Sequence, residues 1–281
     1  MAYFLSFRTQ DVGGPIIDPI VLHGDGCATA PKWDIVSPAD WQALIDARDI
    51  VFVTHGFNVS QTSGAYSLEW LSRNVSLIPA TVFVGMLWPG DAWIPVVDYP
   101  FEGGVATDCG SRLAQFCDKR CGAANSLSFF SHSLGARVVL EAVAHIARKA
   151  RVVCVAAGAV NRDCLNMEYW DASMNASSIS VLASREDYVL KLAFALGDPV
   201  ADLLHDDHTP FQAALGATGP KLPAPPNATF PWQIPDIEKY GHGDYLPPGQ
   251  PVTPPASTSD KWFNVATFLS RALAGSAQTW P

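Results

Sequence analysis

Short apolar runs alternate with longer helical patterns along most of this chain, and this alternation constrains its fold more than any other feature. The run Asp49–Thr54 is rich in β-branched residues and ends just before Gly56, which is typical of a strand buried on both faces. The same pattern predicts later strands at Thr81–Trp88, Ser126–Phe130, Arg151–Ala156 and Ser178–Leu182. Helical periodicity lies between or after them, at Ser63–Leu77, Val105–Cys121, Leu134–Ala150 and Asp187–Leu196. Since helices that alternate with strands form right-handed crossovers between parallel neighbours, the sequence predicts an α/β fold with a mostly parallel sheet.

The first forty residues precede this alternation and have a different pattern. Two apolar stretches, Tyr3–Arg8 and Ile16–Leu22, flank a turn at Gly13 and Gly14. We expect these stretches to form an antiparallel pair of strands at the edge of the sheet, as an N-terminal extension over residues 1–40.

A proline-dense segment breaks the alternation again. Residues 210–255 hold 12 of the 22 prolines, which cannot donate hydrogen bonds to a strand ladder. The sequence therefore predicts a cap or excursion over residues 200–255, packed across one end of the sheet. Within it, Trp232–Ile234 is compatible with a last edge strand, and Lys261–Leu273 follows as an amphipathic helix. No internal repeat is present, and we expect residues 1–281 to form a single domain.

The strongest chemical signal is the pentapeptide Ser131-His132-Ser133-Leu134-Gly135, which follows a predicted strand and precedes a predicted helix. A serine at such a strand-to-helix turn has a strained backbone and an exposed hydroxyl, which makes it a candidate nucleophile. Small residues are needed two positions before and after it; Gly135 meets this need, and Ser131 replaces the usual glycine. The helix that begins at Leu134 also points its N–H groups toward the serine, which favours negative charge there. We therefore predict that Ser133 is a nucleophile.

A second signal is the sequence Thr54-His55-Gly56-Phe57-Asn58, at the end of the first buried strand. Gly56 allows the backbone to approach the nucleophile closely, as stabilisation of a tetrahedral oxyanion requires. We expect the backbone N–H groups of Phe57 and Leu134 to be the oxyanion donors. His55 is an alternative catalytic base, although a histidine at a strand end more often orients its loop by hydrogen bonding.

The remaining catalytic residues are expected in the chain order serine, acid, histidine. Asp187 lies in the loop after the second strand that follows Ser133, where the acid belongs. Glu186 is adjacent but its side chain would point elsewhere, and Asp163, after the earlier strand, is the competing acid. We predict that Asp187 is the acid of the triad.

The base must be a histidine further along the chain. His242 lies in a turn between Gly241 and Gly243, and flanking glycines suit a loop that bends a ring onto the serine. His205 and His208 are alternatives, but they lie in an acidic run, and the third ligand that a metal site would require is lacking there. We predict that His242 takes the Ser133 proton while Asp187 fixes its tautomer.

These motifs, in this order and together with Trp88-Pro89-Gly90, resemble the α/β-hydrolase superfamily, and most closely the bacterial α/β-hydrolases of domain-of-unknown-function family 900. The likeness covers about Asp49–Leu273 and leaves out the first forty residues. It implies the α/β-hydrolase fold and a serine hydrolase with its triad at Ser133, Asp187 and His242. It implies no particular substrate.

For the substrate, we expect a small-molecule carboxylic ester with a small or medium acyl chain. Aromatic side chains could wall an apolar acyl pocket, namely those of Phe57, Trp88, Trp93 and Trp232, although such residues are more often core. The same triad could instead cleave an amide, thioester or lactone, or transfer the acyl group to an alcohol, and the fold does not choose among these. A non-catalytic binding protein is a further alternative, disfavoured because a candidate for every triad position is present.

Composition and charge exclude several other classes of protein. Eighteen Lys and Arg against 27 Asp and Glu give a net charge of −9 without a basic stripe, so we expect no nucleic-acid partner. No apolar run reaches the roughly 20 residues of a membrane helix, and the first residues lack a signal-peptide pattern. We therefore expect no membrane span and a cytoplasmic location. The six cysteines are too sparse for a disulfide scaffold and lack metal-ligand spacing, so we expect free thiols, no metal and no cofactor.

Overall fold

A twisted sheet with helices packed against it forms the framework of the protein. The computed structural model describes residues 1–28, 30–90, 99–192, 213–228, 234–251, 260–275 and 279–281, with the side chains of 99–103 left out. Its strands are β1 (Ala2–Ser6), β2 (Ile20–Gly24), β3 (Trp33–Ile35), β4 (Asp49–Thr54), β5 (Thr81–Leu87), β6 (Ser126–His132), β7 (Val152–Ala156) and β8 (Ile179–Leu182). Its α-helices are α1 (Pro38–Ile45), α2 (Gln61–Ser72), α3 (Tyr99–Arg120), α4 (Gly135–His145), α5 (Trp170–Met174), α6 (Leu215–Thr218) and α7 (Trp262–Leu273). Residues 188–192 are also helical.

The strands lie in the order β3-β2-β1-β5-β4-β6-β7-β8. From β1 to β8 every neighbouring pair is parallel, whereas β2 and β3 run antiparallel to their neighbours. The predicted α/β architecture with a mostly parallel sheet is confirmed. Because the carboxyl ends of parallel strands meet at one edge of a sheet, the loops after β4, β6 and β8 begin at the same edge.

The first strands differ from the prediction in one respect. β1 and β2 pair antiparallel, but β1 lies inside the sheet, where it also pairs in parallel with β5 from Tyr3 opposite Val84 to Ser6 opposite Leu87. The outer strand at this end is β3, which the sequence analysis did not identify. The continuous apolar stretch of β1 explains its interior place, since Phe4 and Leu5 are fully buried.

The centre of the core lies where β4 and β6 meet. Val51, Phe52 and Val53 of β4 are fully buried, as are Phe129 and Phe130 of β6. The rings of Phe52 and Phe129 stack with centroids 5.6 Å apart. Burial of each such side chain stabilises the fold by about 1.5–3 kcal/mol, so the two strands that precede the candidate site are firmly held.

The proline-dense segment is described only in part. Its described portions contact the β8 side of the sheet, where Ala228 forms an isolated parallel bridge with Ile179 and Ile234 donates its N–H to the Ala183 carbonyl at 2.7 Å. Trp232 and Gln233, from the expected last edge strand, lie outside the described residues. The cap over residues 200–255 and the single-domain organisation stay predictions. Among the residues described, none of the helices is long and apolar enough to cross a membrane.

Candidate active site

Ser133 occupies a sharp turn between β6 and α4. Its φ of 53° lies in the left-handed region, which costs a residue with a side chain about 1–2 kcal/mol. Backbone hydrogen bonds hold this conformation, because the Ser133 N–H donates to the Ala156 carbonyl at 3.0 Å and its own carbonyl accepts from Ala136 and Ala159. The turn therefore fixes the direction of the serine side chain independently of that side chain's own contacts.

Two glycines allow this turn to pack against the end of β4. A Cβ on Gly135 would lie 2.5 Å from the His55 carbonyl oxygen, and one on Gly56 would lie 2.8 Å from the Ser133 Cβ. Real Cβ atoms do not approach other atoms so closely, which explains why both positions are glycine. Ser131, two residues before Ser133, is fully buried, and its small side chain fits this crowded place.

The structure brings Ser133, Asp187 and His242 into one chain of hydrogen bonds. The His242 Nε2 atom lies 2.8 Å from the Ser133 Oγ atom, and the His242 Nδ1 atom lies 2.8 Å from the Asp187 Oδ2 atom. An ionised carboxylate only accepts hydrogen bonds, so Nδ1 carries the proton and Nε2 is left as the acceptor for the serine hydroxyl. The imidazole is thus in the tautomer that can remove a proton from Ser133.

Asp187 is more deeply buried than Ser133 and His242. Asp187 has no exposed surface, whereas the His242 side chain is 18% exposed. The second Asp187 oxygen accepts the Leu190 N–H at 3.0 Å, so the first turn of the helix over residues 188–192 fixes the carboxylate. Because the carboxylate is held from both sides, it can orient the imidazole.

The segment after β4, residues 55–59, lies against Ser133, and we call it the oxyanion loop after the role that the sequence predicts for it. Asn58 has a φ of 58°, and its N–H donates to the Gly90 carbonyl at 2.6 Å. Phe57, one of the expected donors, precedes it, and Leu134, the other, is the residue that caps α4 next to Ser133. The two backbone segments therefore flank the serine, and their role as oxyanion donors remains a proposal.

Comparison with known proteins identifies the family of the chain. The family model described as alpha/beta hydrolase of unknown function (DUF900) matches residues 42–257. The chain belongs to this family of alpha/beta hydrolases. Curated protein sequences give no significant match.

Solved esterases are distant structural neighbours of this hydrolase. An esterase of Pyrobaculum calidifontis has a TM-score of 0.45 and 10% identity, with 98% of this chain and 85% of that chain covered. A thermophilic esterase of the planctomycete Thermogutta terrifontis, with butyrate bound, has a TM-score of 0.44 and 10% identity, with 92% and 89% covered. At this distance neither neighbour bears on the substrate of the present hydrolase.

His132 also contacts the site, and the sequence analysis gave it no role. Its Nε2 atom lies 2.9 Å from the His242 carbonyl oxygen, and its ring packs against those of His242 and Tyr245, with centroids 5.0 and 5.9 Å away. A carbonyl can only accept, so His132 donates through Nε2 and supports the turn that carries His242. Because its partner is a backbone atom 110 positions away, no sequence motif records this contact.

Burial keeps two histidines beside the triad neutral. It lowers the pKa of His132 to about 3, with a further contribution from the nearby His242 ring. It likewise lowers the pKa of His55 to about 4. His55 bonds through Nδ1 to the Gly56 carbonyl at 2.8 Å and stacks on Trp88. Its contacts thus support the oxyanion loop, whereas His242 is the histidine whose ring reaches the serine.

Of the four aromatic residues expected to wall an acyl pocket, Trp88 is described and lies in the core. Its side chain has no exposed surface, and its indole N–H donates to the His55 carbonyl at 3.0 Å. The ring therefore supports the oxyanion loop from behind and offers no surface to a ligand, contrary to the expectation. Phe57 is partly buried and packs against the hydrophobic core. Trp93 and Trp232 lie outside the described residues.

The alternative acid and bases are placed as follows. Asp163 pairs with Lys221, its Oδ2 atom 3.6 Å from the lysine Nζ, and not with His242. Glu186 lies near the hydroxyl of Tyr188, at 3.5 Å. His205 and His208 lie outside the described residues.

One group of potential metal ligands occurs within the described part of the chain. Ligand atoms of Asp25, Cys27 and Glu69 lie within 4.8 Å of one another. The Arg73 guanidinium already lies 2.6 Å from Glu69 and 3.7 Å from Asp25, and burial raises the pKa of the Cys27 thiol to about 11. A cation would have to compete with Arg73 and remove a tightly held proton, so this group does not fit a metal.

Proposed function

We propose that the protein is a serine hydrolase that cleaves carboxylic esters of small or medium acyl chains. The observation that carries this proposal is the continuous hydrogen-bond chain from the Ser133 hydroxyl through His242 to Asp187, with both distances 2.8 Å. This is the arrangement of a nucleophile, a general base and an orienting acid. Membership of an alpha/beta hydrolase family supports the hydrolytic chemistry.

In the first half of the proposed reaction, the Ser133 Oγ atom attacks the ester carbonyl while His242 Nε2 takes the hydroxyl proton. The carbonyl oxygen gains the negative charge, which the N–H groups of Phe57 and Leu134 and the N-terminus of α4 would stabilise. Collapse of the tetrahedral intermediate breaks the bond to the alcohol, and the imidazolium returns its proton to the leaving oxygen. The product is an acyl-enzyme at Ser133.

In the second half, water attacks the acyl-enzyme and His242 again takes the proton. The carboxylic acid leaves and Ser133 recovers its hydrogen. Asp187 stays ionised throughout, where it keeps the imidazole in the required tautomer and stabilises the imidazolium. Water supplies the only atoms added, so the proposed cycle requires no cofactor.

The choice of an ester as the substrate is a separate step, because the same three residues could also cleave an amide or a thioester. Phe57 follows Gly56, whose backbone lies against Ser133, and its part-buried apolar side chain would suit an acyl chain. Turnover of matched 4-nitrophenyl esters, anilides and thioesters, with acyl chains of two to twelve carbons, tests this choice. Short and medium esters should be the best substrates, and a higher turnover of the anilides or thioesters would reassign the bond that is cleaved.

The catalytic role of Ser133 has its own test. We expect Ser133→Ala to lower kcat for 4-nitrophenyl butyrate by about 10⁴- to 10⁶-fold, because the nucleophile is lost. A fluorophosphonate should label the wild-type protein at Ser133, as located by mass spectrometry. The matched control is Ser128→Ala, which replaces a buried serine of the preceding strand β6 and should keep both activity and labelling. Undiminished turnover in Ser133→Ala, or absence of label in the wild type, would contradict the proposal.

A further inference from the structure

Arg8 is a buried side chain that joins three parts of the chain. It is only 2% exposed, and it follows β1 in the N-terminal extension. Its Nε atom donates to the Gln10 carbonyl at 2.9 Å, and its Nη1 atom donates to the carbonyls of Val59 and Trp88, each at 3.2 Å. The two distant acceptors belong to the oxyanion loop and to the segment that follows β5.

The oxyanion loop depends on these contacts from outside itself. Asn58 is in the left-handed region, which carries a conformational cost for a residue other than glycine. The Trp88 indole holds the His55 carbonyl, Gly90 accepts the Asn58 N–H, and Arg8 holds the Val59 carbonyl. Phe57, whose N–H is a proposed oxyanion donor, lies between these fixed points.

Arg8 connects the supports to one another. Its Nη1 atom binds Trp88, which in turn holds the start of the loop, and the same atom binds Val59 at the end of the loop. Its Nη2 atom donates to the Asp11 carbonyl, which also accepts the Gln61 N–H at 2.8 Å at the start of α2. The planar guanidinium presents its donors in a fixed fork, so it fixes the relative positions of these carbonyls, which a lysine ammonium does not.

We propose that Arg8 is a positioning residue for the reaction, which holds the Phe57 N–H where the oxyanion forms. The inference rests on the proposed function, since it assigns Arg8 to the machinery of the same site. Arg8 lies outside the part of the chain that the family model matches, residues 42–257. Through this one side chain, the N-terminal extension would support the site as well as supply three strands of the sheet.

The test compares Arg8→Met and Arg8→Lys with the wild type. Arg8→Met removes the donors, and Arg8→Lys keeps the charge but not the fork. We expect kcat for 4-nitrophenyl butyrate to fall by about 10- to 100-fold in Arg8→Met, and by less in Arg8→Lys, with KM within about twofold. Phenylboronic acid, which forms a charged tetrahedral adduct with the serine, should lose affinity by the same factor as kcat. The fluorophosphonate inactivation rate should fall in parallel.

The matched control is Leu5→Ala, which creates a cavity at a fully buried position of β1 without removing a hydrogen bond to the loop. Melting temperatures are measured for every variant, and rates are compared well below the lowest of them. Leu5→Ala should keep the wild-type kcat and boronate affinity per folded molecule.

Two outcomes would overturn the inference. The first is an Arg8→Met protein that folds and keeps the wild-type kcat and boronate affinity. If Arg8→Met does not fold, an Arg8→Lys protein with the wild-type kcat and boronate affinity would overturn the inference instead. The second is a loss that Leu5→Ala reproduces, since the effect would then be one of stability alone. The fluorophosphonate rates separate this test from the proposed ester activity. A wild type that is labelled but cleaves no ester would contradict the substrate assignment. The ratio of the labelling rates of Arg8→Met and the wild type would still test the positioning role of Arg8.

Discussion

At the scale of single residues, the role of Asp187 depends on its being an acceptor only. In Asp187→Asn the side-chain amide can donate to His242 Nδ1, which favours the tautomer with the proton on Nε2 and removes the acceptor for the serine hydroxyl. We expect kcat for 4-nitrophenyl butyrate to fall by about 10⁴-fold, with KM changed little. Steady-state kinetics and the fluorophosphonate inactivation rate measure the effect.

The neighbouring residue provides a control for this substitution. Glu186→Gln removes a carboxylate one position away that does not contact His242, and it should leave kcat within about twofold of the wild type. Full activity in Asp187→Asn together with a loss in Glu186→Gln would transfer the role of the acid to Glu186.

The sequence predicted some of these residues and not others, for a physical reason. The convergence of Ser133, Asp187 and His242 could be predicted because chain order and strand ends restrict where such a group of residues can lie. Arg8 and His132 donate hydrogen bonds to backbone carbonyls far away in the chain. Since every residue type has a backbone carbonyl, the sequence does not indicate these partners. Trp88 was expected in a pocket because the sequence does not reveal which side of a strand end is covered.

At the scale of elements, the strand–turn–helix unit around Ser133 depends on close packing against β4. A Cβ at position 135 would lie 2.5 Å from the His55 carbonyl oxygen and 2.6 Å from the Thr54 Cγ2 atom. Gly135→Ala must therefore push α4 away from the oxyanion loop. We expect a loss of about 1–3 kcal/mol in the free energy of unfolding and at least about a tenfold drop in kcat.

Denaturant unfolding and steady-state kinetics measure these two losses, and Gly122→Ala is the matched control. Gly122 follows α3, and a Cβ there would meet nothing within 4 Å. Its substitution should change the free energy of unfolding by less than about 0.5 kcal/mol and leave kcat unchanged. Equal effects of the two substitutions would contradict the requirement for glycine at position 135.

At the scale of the whole molecule, the sequence pattern predicted the central strands of the sheet better than the strand order at its N-terminal end. The β4, β5 and β6 strands could be identified because they are buried on both faces and rich in β-branched or aromatic residues. The interior position of β1 could not, because strand order depends on packing between distant segments. β3 is only three residues long, which is too short for its alternation of apolar and polar residues to be recognised as a strand.

Two buried histidines beside the site make the stability of the whole fold depend on pH. The pKa is about 3 for His132 and about 4 for His55 in the folded protein, against 6.5 for an exposed histidine. Above pH 6.5 both are neutral whether the chain is folded or not, so they have no effect on stability. As the pH falls below 6.5 the unfolded chain takes up protons that the folded chain does not, and the folded state is destabilised until the pH reaches about 4 for His55 and about 3 for His132.

The predicted slope is up to about 1.4 kcal/mol of unfolding free energy per pH unit for each of these histidines between pH 6 and pH 4. His132→Gln keeps an N–H donor for the His242 carbonyl but does not titrate, so its stability should decline less steeply with falling pH than that of the wild type. Urea unfolding at half-unit steps from pH 7 to pH 4 measures both slopes. Since the carboxylates are common to the two proteins, the difference between the slopes reports His132 alone. Parallel curves would mean that the His132 ring can be protonated in the folded protein, and the turn carrying His242 would then have to accommodate a buried charge.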